Sequence, residues 1–490
     1  MDALTPYLIA ASAMLLLSVV ASKGAGRFGI PALSIFLVIG MLAGAEGIGG
    51  FALANVETAK TLGILALIFI LYSGGLGTRQ ADVRAVRASG LVLSTAGTVV
   101  TAALVGMFST WFLGLSRLSG FLLGATVAAT DVAAVFTILR SRNVSLKGRI
   151  RPLLELESAL NDPMAVFLSV GALQLIVHSE GASAWTLVTD FFLQMTVGTI
   201  AGIGAGRATR WIVNHARLEF EGLYPVLSMA LVVLTFGLTQ TVHGSGFLAV
   251  YVSGIVLGNT THVHKLSLSV FHDGLAWLMQ IAMFLTMGLL VLPGELWQVT
   301  ASGVALAAFL VLAARPISVM LCLAPFRFSW REQLMVSWGG LRGAVPIILA
   351  TYPLLAGAPG ARLIFNLVFF VVFFSVLVQA TTIPAVARWL RVDAPLAPDV
   401  RYPIQFDPTS SLKNDMVEIP VPAGSRVIGR TLVDLSLPAG ALIVLIHRGD
   451  DVFVPRGGTA IQAGDRLLVL AEKQALVQIR AVVGSPSGNS

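Results

Sequence analysis

The chain has 490 residues, of which 56% are hydrophobic and only 12% charged. A soluble protein of this length needs more charge to cover its surface, so lipid must solvate much of this one. The net charge of +7 does not point to nucleic acid, because the basic residues fall between apolar segments, and the single cysteine, Cys322, excludes an intramolecular disulfide.

A membrane-crossing helix needs about 20 mainly apolar residues. In chain order the candidate spans are 6–22, 29–49, 59–78, 90–114, 118–139, 152–177, 187–206, 223–242, 246–259, 273–292, 299–324, 333–354 and 363–387, thirteen in all, with the ninth the shortest. The first follows an acidic start and precedes no small-residue cleavage site, so it reads as a retained helix and not a signal peptide. The basic residues test this layout. With the N-terminus outside, the cytoplasmic loops hold Lys23 and Arg27, then Arg79, Arg84 and Arg87, then Arg140, Arg142, Lys147, Arg149 and Arg151. Arg207, Arg210, Arg217, Lys265, Arg327, Arg331, Arg388 and Arg391 continue the pattern, and the opposite loops hold almost no Lys or Arg, Arg117 excepted. That bias puts the C-terminus in the cytoplasm.

Thirteen helices divide as six, one linker and six, and an odd linker inverts the second group. Such inverted repeats place the substrate site near the midplane, between broken helices. Helices five and twelve correspond. Helix five contains Gly124 and Thr130-Asp131; helix twelve contains Gly339, Gly340, Arg342, Gly343 and Pro346. Both read as interrupted. The expected fold is therefore an all-α polytopic membrane domain over 1–390. A linker rich in Pro, Asp and Ser follows over 391–412, then a small α+β domain over 413–484. In that domain the strand-like runs are 416–421, 441–447, 451–455 and 466–471, with short helices at 430–436 and 474–482.

Ionisable groups are costly in hydrocarbon, so each one inside a span needs an account. Five matter most: Asp131, Glu157, Asp162, Arg315 and Arg342. Opposite charges can simply lock helices together, yet buried pairs stabilise weakly and apolar residues can replace them. Helix six carries the densest signal, Glu157-Ser158-Ala159-Leu160-Asn161-Asp162-Pro163. Glu157 and Asn161 share one face, and Ser158 and Asp162 the next. Pro163 lacks the N–H that would bond the Ala159 carbonyl. A hydroxyl, an amide, a carboxylate and a carbonyl thus converge within about one turn, as hard oxygen ligands for an alkali cation or a proton and not for a soft metal. Desolvation favours the protonated form of Asp162, whereas a bound cation or a nearby arginine favours the ionised one. A carboxylate that holds a proton or a cation, but not both, is sufficient for antiport.

These residues resemble the cation:proton antiporter superfamily, in its sodium/proton exchanger branch. The motifs are Gly124-Ala125-Thr126 leading to Thr130-Asp131, Glu157-Ser158 with Asn161-Asp162, Arg315-Pro316, and Gly339-Gly340-Leu341-Arg342-Gly343-Ala344. The resemblance implies thirteen helices, a homodimer and elevator-like motion of a core domain against a dimerisation domain. It implies that Asp162 binds the alkali cation and the proton, with Asp131, Thr130, Ser158 and Asn161 close by. Glu157 would pair with an intramembrane arginine, Arg315 before Arg342, and Arg342 would compensate charge and dipoles where helices five and twelve cross. Asn161 stands where electrogenic relatives have a second aspartate, which implies one-for-one exchange.

The tail is similar to the C-terminal half of the regulatory domains that gate potassium channels and transporters (TrkA-C-like). That attachment resembles potassium/proton antiporters of the bacterial inner membrane and implies a small regulatory ligand, though a dimerisation or stability module without a ligand fits as well. No enzyme cofactor is implied; the partners are lipid, protons and monovalent cations. K+ is the first expectation and Na+ or Li+ the alternative, since oxygen ligands alone do not separate them.

Two other classes fit less. A gated cation channel would explain the tail, but no potassium-filter sequence occurs. An intramembrane hydrolase would need a paired nucleophile and base, and His243 and Ser245 near a helix end do not supply one. His262, His264, Lys265 and His272 read as a solvated basic loop that marks topology.

Overall fold

A computed structural model describes residues 4–28, 31–51, 55–177, 184–395 and 414–484, other than 423, 436, 439 and 450. The chain divides into two compact units, 1–261 with 265–399, and 400–490 with 262–264. Most of the expected linker lies outside the described residues.

In the first unit the helices are α1 (Leu4–Phe28), α2 (Ala32–Ala43), α3 (Val56–Gly77), α4 (Gln80–Val92), α5 (Thr98–Leu113), α6 (Arg117–Thr126), α7 (Val132–Ser141) and α8 (Ile150–Val177). They continue as α9 (Ala184–His215), α10 (Leu223–Thr241), α11 (Gly246–Gly258), α12 (Lys265–Leu289), α13 (Pro293–Gln298), α14 (Thr300–Phe309) and α15 (Arg315–Leu323). The last four are α16 (Trp330–Trp338), α17 (Val345–Leu355), α18 (Ala361–Phe374) and α19 (Ala380–Trp389). Among the described residues, eight continuous helices are long and apolar enough to cross a membrane. Shorter apolar helices, α2, α7, α11 and α17 among them, fall on parts of other expected spans.

The expected spans at 118–139 and 333–354 are each two short helices with an irregular segment between, α6/α7 around 127–131 and α16/α17 around 339–344. Three other spans contain a single wide π turn: Leu93–Gly97 joins α4 to α5, Leu310–Ala314 joins α14 to α15, and Ser375–Gln379 joins α18 to α19. Such turns often mark functional sites. The first unit is not purely helical. Strand β1 (Val144–Leu146) pairs antiparallel with β2 (Asp393–Pro395), tying the turn after α7 to the end of α19.

His272 is not in a solvated loop. It is fully buried in α12, with Nε2 2.9 Å from Ser228 Oγ and its ring edge-on to Tyr72. Tyr72 on α3 and Ser228 on α10 meet it in the interior.

The second unit has a four-stranded sheet of β3 (Asn414–Pro420), β4 (Leu442–Arg448), β5 (Asp451–Phe453) and β6 (Arg466–Glu472), in the antiparallel order β3-β6-β4-β5. Helix α20 (Lys473–Gly484) packs Ala475, Leu476, Ile479 and Val483 on its core. The helix expected at 430–436 does not form over its described residues, 430–435. The backbone there pairs instead with 457–461, Leu432 N–H donating to Thr459 O and Val433 N–H to Gly457 O, while Asp434 accepts from Thr431 N–H. Local side-chain bonds of this kind compete with helix formation. Arg448 grips the buried Asp465 in two hydrogen bonds, Nε to Oδ1 at 2.9 Å and Nη2 to Oδ2 at 2.8 Å, and Gln462 N–H donates a third at 2.8 Å.

Candidate functional site

The two broken segments touch. Asp131 N–H donates to Leu341 O at 2.7 Å, joining one break to the other. Glycine makes the approach possible, because a methyl group on Gly343 would run into the Asp131 side chain, and one on Gly340 would lie 2.5 Å from Arg315 Nε. An unwound segment has orphan backbone groups that need partners when buried. Here side chains and a guanidinium supply them.

Helix α8 passes beside the first break. Ser158 Oγ donates to Thr130 O at 2.7 Å and accepts from Val132 N–H at 3.3 Å. Asn161 Nδ2 donates to Thr130 Oγ1 at 2.6 Å, and Thr130 N–H returns a longer bond of 3.4 Å to Asn161 Oδ1. Asp131 caps α7 by accepting from the N–H groups of Ala133 and Ala134, a position where the helix dipole also favours a negative charge. Arg342 closes the other side. Its Nη1 donates to Ala128 O at 2.6 Å and Ala129 O at 2.8 Å, just past the C-terminal end of α6. Positive charge belongs there for the same dipolar reason.

One turn before Asp162, Glu157 is clamped by Arg315. Arg315 Nη2 donates to Oε2 at 2.8 Å and Nη1 lies 2.6 Å from Oε1, with both side chains at most 3% exposed. The π turn Leu310–Ala314 ends immediately before Arg315. Of the two intramembrane arginines, therefore, Arg315 holds the carboxylate and Arg342 holds the carbonyls.

Asp162 is treated differently. Its residue is 5% exposed, and Oδ1 is buried with no hydrogen-bond partner among the described residues. A buried carboxylate oxygen without a donor is unfavourable unless a proton or a cation completes it. Thr130, Asp131, Ser158, Asn161 and Asp162 are thus brought together, but Ser158 and Asn161 are largely taken up in bracing the backbone. Asp162 is the member left open.

A cavity of about 410 Å³ reaches Asp162, Asp131, Thr130 and Ser158, and its wall also includes Arg140, Arg151, Glu155 and Asp273. It therefore runs toward the basic end of the bundle. Asp273, which accepts from Ser73 Oγ at 2.6 Å, was not among the residues singled out from sequence. Its only signal was a lone acid in an apolar span. A second cavity, about 590 Å³, is lined by Pro163, Gln174, Asp190, Gln194, Gln240 and His243 among others. The two cavities thus meet α8 at adjacent residues. Ser245 is occupied as the cap of α11, accepting from Leu248 N–H.

Besides Arg117, the end poor in loop arginines has Lys60 and Arg362 near its helix starts. Both are matched: Lys60 Nζ sits 4.3 Å above the Tyr352 ring, and Arg362 Nε donates to Glu295 Oε2 at 2.6 Å. The Arg362 hydrogen bonds, helped by Asn366, hold the Glu295 carboxyl below its ordinary range against the opposing effect of burial.

Residues 13–389 match the transmembrane domain of the sodium/hydrogen exchanger family, and residues 416–484 match the TrkA-C domain. The chain is 37% identical over 494 residues to the K(+)/H(+) antiporter NhaP of Alkalimonas amylolytica, covering all of this chain and 85% of that one. It is 38% identical over 480 residues to the K(+)/H(+) antiporter NhaP2 of Shewanella sp. (strain MR-4), covering 97% of this chain and 83% of that one. In three dimensions it superposes with a TM-score of 0.69 on the sodium proton antiporter MjNhaP1 of Methanocaldococcus jannaschii, at 24% identity and over 80% of this chain and 99% of that one.

Proposed function

Because the chain belongs to the sodium/hydrogen exchanger family, we propose that it exchanges one monovalent cation, K+ before Na+, for one proton at Asp162. The observation that carries this is the buried, unpartnered Oδ1 of Asp162 at the end of a cavity. The preference for K+ rests on the K(+)/H(+) antiporters that match this chain over nearly its whole length.

The residues divide the work. Asp162 takes the proton or the cation in turn. Asp131 and the Thr130 hydroxyl flank the cation, and Ser158 and Asn161 hold the Thr130–Val132 backbone so that this geometry survives desolvation. Glu157 and Arg315 fasten α8 to α15 as a neutral pair. Arg342 balances the carbonyl end of α6. Asn161 is neutral, so a single acid turns over, and one proton leaves for each cation bound. Crossing with Asp162 ionised and empty is disfavoured by the cost of an unpaired charge in a low dielectric.

The lining of the smaller cavity by Arg140 and Arg151 makes it the cytoplasmic access route when the basic loops face inward. This reading includes thirteen spans in a six-one-six inverted repeat, a bacterial inner-membrane location with the N-terminus outside, a cytoplasmic tail at 413–484 responding to a small ligand, and a homodimer. Helix α9 supports the dimer, since only 11% of the apolar window in Val188–His215 is buried within the chain.

The test is dequenching of a pH-sensitive dye in everted vesicles, with K+ and Na+ added separately. A response to K+ that Asp162→Asn removes is expected. A response to Na+ alone would overturn the assignment of K+, and normal exchange by Asp162→Asn would overturn the site.

A further inference from the structure

The second break is braced by residues that no part of the exchange site contains. In the run 367–380 the only polar residues are Ser375 and Gln379. Both are 1% exposed, and they begin and end the π turn between α18 and α19. Arg342 N–H donates to Ser375 Oγ at 2.9 Å. The Ser375 hydroxyl donates to Gln379 Oε1, and Gln379 Nε2 donates to Trp338 O at 3.2 Å. Trp338 is the last residue of α16, and its carbonyl is one of the orphans a helix end leaves. One short chain of hydrogen bonds thus fixes both the end of α16 and the backbone of Arg342.

We propose that Ser375 and Gln379 are positioning residues for exchange, which aim the Arg342 guanidinium at the Ala128 and Ala129 carbonyls across the two breaks. The inference rests on the exchange function argued above. Arg342 starts from an irregular segment, so no helix fixes where its side chain begins. Besides the Leu341 bond to Asp131, the Ser375–Gln379 brace is what holds that start.

The brace parallels the one on α8. There, Ser158 takes the N–H of Val132 beside the first break, and four residues later Asp162 stands open. Here, Ser375 takes the N–H of Arg342 beside the second break, and four residues later a neutral amide is bonded at both ends. The first arrangement is built to accept an ion and the second to hold still. The charges that act on Arg342 are those of Arg315 on α15 and Glu157 on α8, and Asp131 at the head of α7 lies against the adjoining Gly343. A guanidinium displaced from the breaks would favour the ionised form of the site acids less.

The experiment measures exchange by the full-length protein in everted vesicles as a function of pH and K+ concentration, for wild type, Ser375→Ala, Ser375→Thr, Gln379→Leu and Gln379→Glu. Protein amount and melting temperature in detergent are measured alongside. Ser375→Ala and Gln379→Leu should move the pH profile to higher pH by about half a unit or more and raise the apparent KM for K+ about threefold or more, at near-normal protein amount. Ser375→Thr, which keeps the hydroxyl, should restore both. If Gln379→Leu does not assemble, Gln379→Glu carries the test, because an added acid beside Arg342 should move the profile the same way. Loss of maximal rate alone, with pH profile and KM unchanged, would mean a merely structural role and would overturn the inference, as would Ser375→Thr as defective as Ser375→Ala. Wild-type protein that exchanges no cation defeats the functional reading and this inference with it. Wild-type exchange with unmoved variant profiles defeats this inference alone.

Discussion

Glu157 and Asp162 lie five residues apart on α8 and are buried to a similar degree, yet Glu157 takes a hydrogen bond and a 2.6 Å ion-pair contact from Arg315, whereas Asp162 Oδ1 has neither a hydrogen-bond nor an ion-pair partner among the described residues. Burial does not distinguish them; partnership does. A buried carboxylate with a guanidinium is a fastening. One without a donor is an acceptor that a proton or a cation can satisfy. On the proposed function, the fastening keeps α8 in place while the open acid changes its occupant.

The sharpest way to break this comparison is to neutralise each acid. Asp162→Asn should reduce exchange in vesicles by about a hundredfold or more, since on the proposed function it removes the group that trades the two ions, while the melting temperature in detergent stays close to wild type. Arg315→Leu should do the reverse. It strands Glu157 and should cost about 3–5 kcal/mol of stability, seen as a large fall in melting temperature and protein amount, and the double change Glu157→Leu with Arg315→Leu should recover much of that loss. If Arg315→Leu were stable and Asp162→Asn unfolded, the two roles would be exchanged.

Asp131→Asn sharpens the comparison from between the extremes. The amide oxygen can still cap α7, so folding should persist, but a neighbouring charge is lost. Slower exchange or a shifted pH profile is expected, and an unchanged profile would remove Asp131 from the ion's surroundings.

The smallest effect belongs to the second unit, where Asp465 is a paired acid in the small sheet domain. Burial pushes its carboxyl up, but the Arg448 hydrogen bonds, the Gln462 N–H and the Arg448 charge outweigh that and hold it below the usual carboxylate range. A lowered value means the pair stabilises the folded domain above the ordinary carboxylate pKa of about 3.9, and that contribution is lost as pH falls through the folded value. Asp465→Asn should therefore cost about 1–3 kcal/mol near neutral pH and flatten the acid limb of stability, read from amide hydrogen exchange of β4 and β6 in the full-length protein. Transport by that variant should keep its dependence on Asp162.

Much of the fold was legible because lipid leaves few choices. Long apolar runs became helices, and Thr130-Asp131 and Gly339-Gly340 fell where the chain leaves helical geometry. The acids and arginines stood out because charge in hydrocarbon is rare. Other features left little trace. A π turn adds one residue to a turn without changing an apolar pattern, so Leu93–Gly97 and Leu310–Ala314 look like ordinary helix. Ser375 and Gln379 did leave a signal, a polar pair four apart in an apolar run, but uncharged residues of that kind usually only satisfy themselves. The 430–436 segment had helix-compatible composition, and its pairing with 457–461 is a long-range contact that local pattern does not report. His272 lay close in sequence to a basic loop and was drawn inward by Ser228 and Tyr72.

The adjacency of Asp162 and Pro163, one lining the smaller cavity and the other the larger, has an electrical consequence. Water in both cavities would leave a thin insulating layer, so most of the membrane voltage would fall across a short stretch of α8. An ion crossing there alone would feel nearly the whole field, worth about 2.3 kcal/mol per charge at 100 mV. A site that crosses only as the protonated acid or as the acid with its cation carries no net charge in either direction. A voltage imposed on the vesicles should then leave both the rate and the end point of exchange unmoved, even with so concentrated a field across α8.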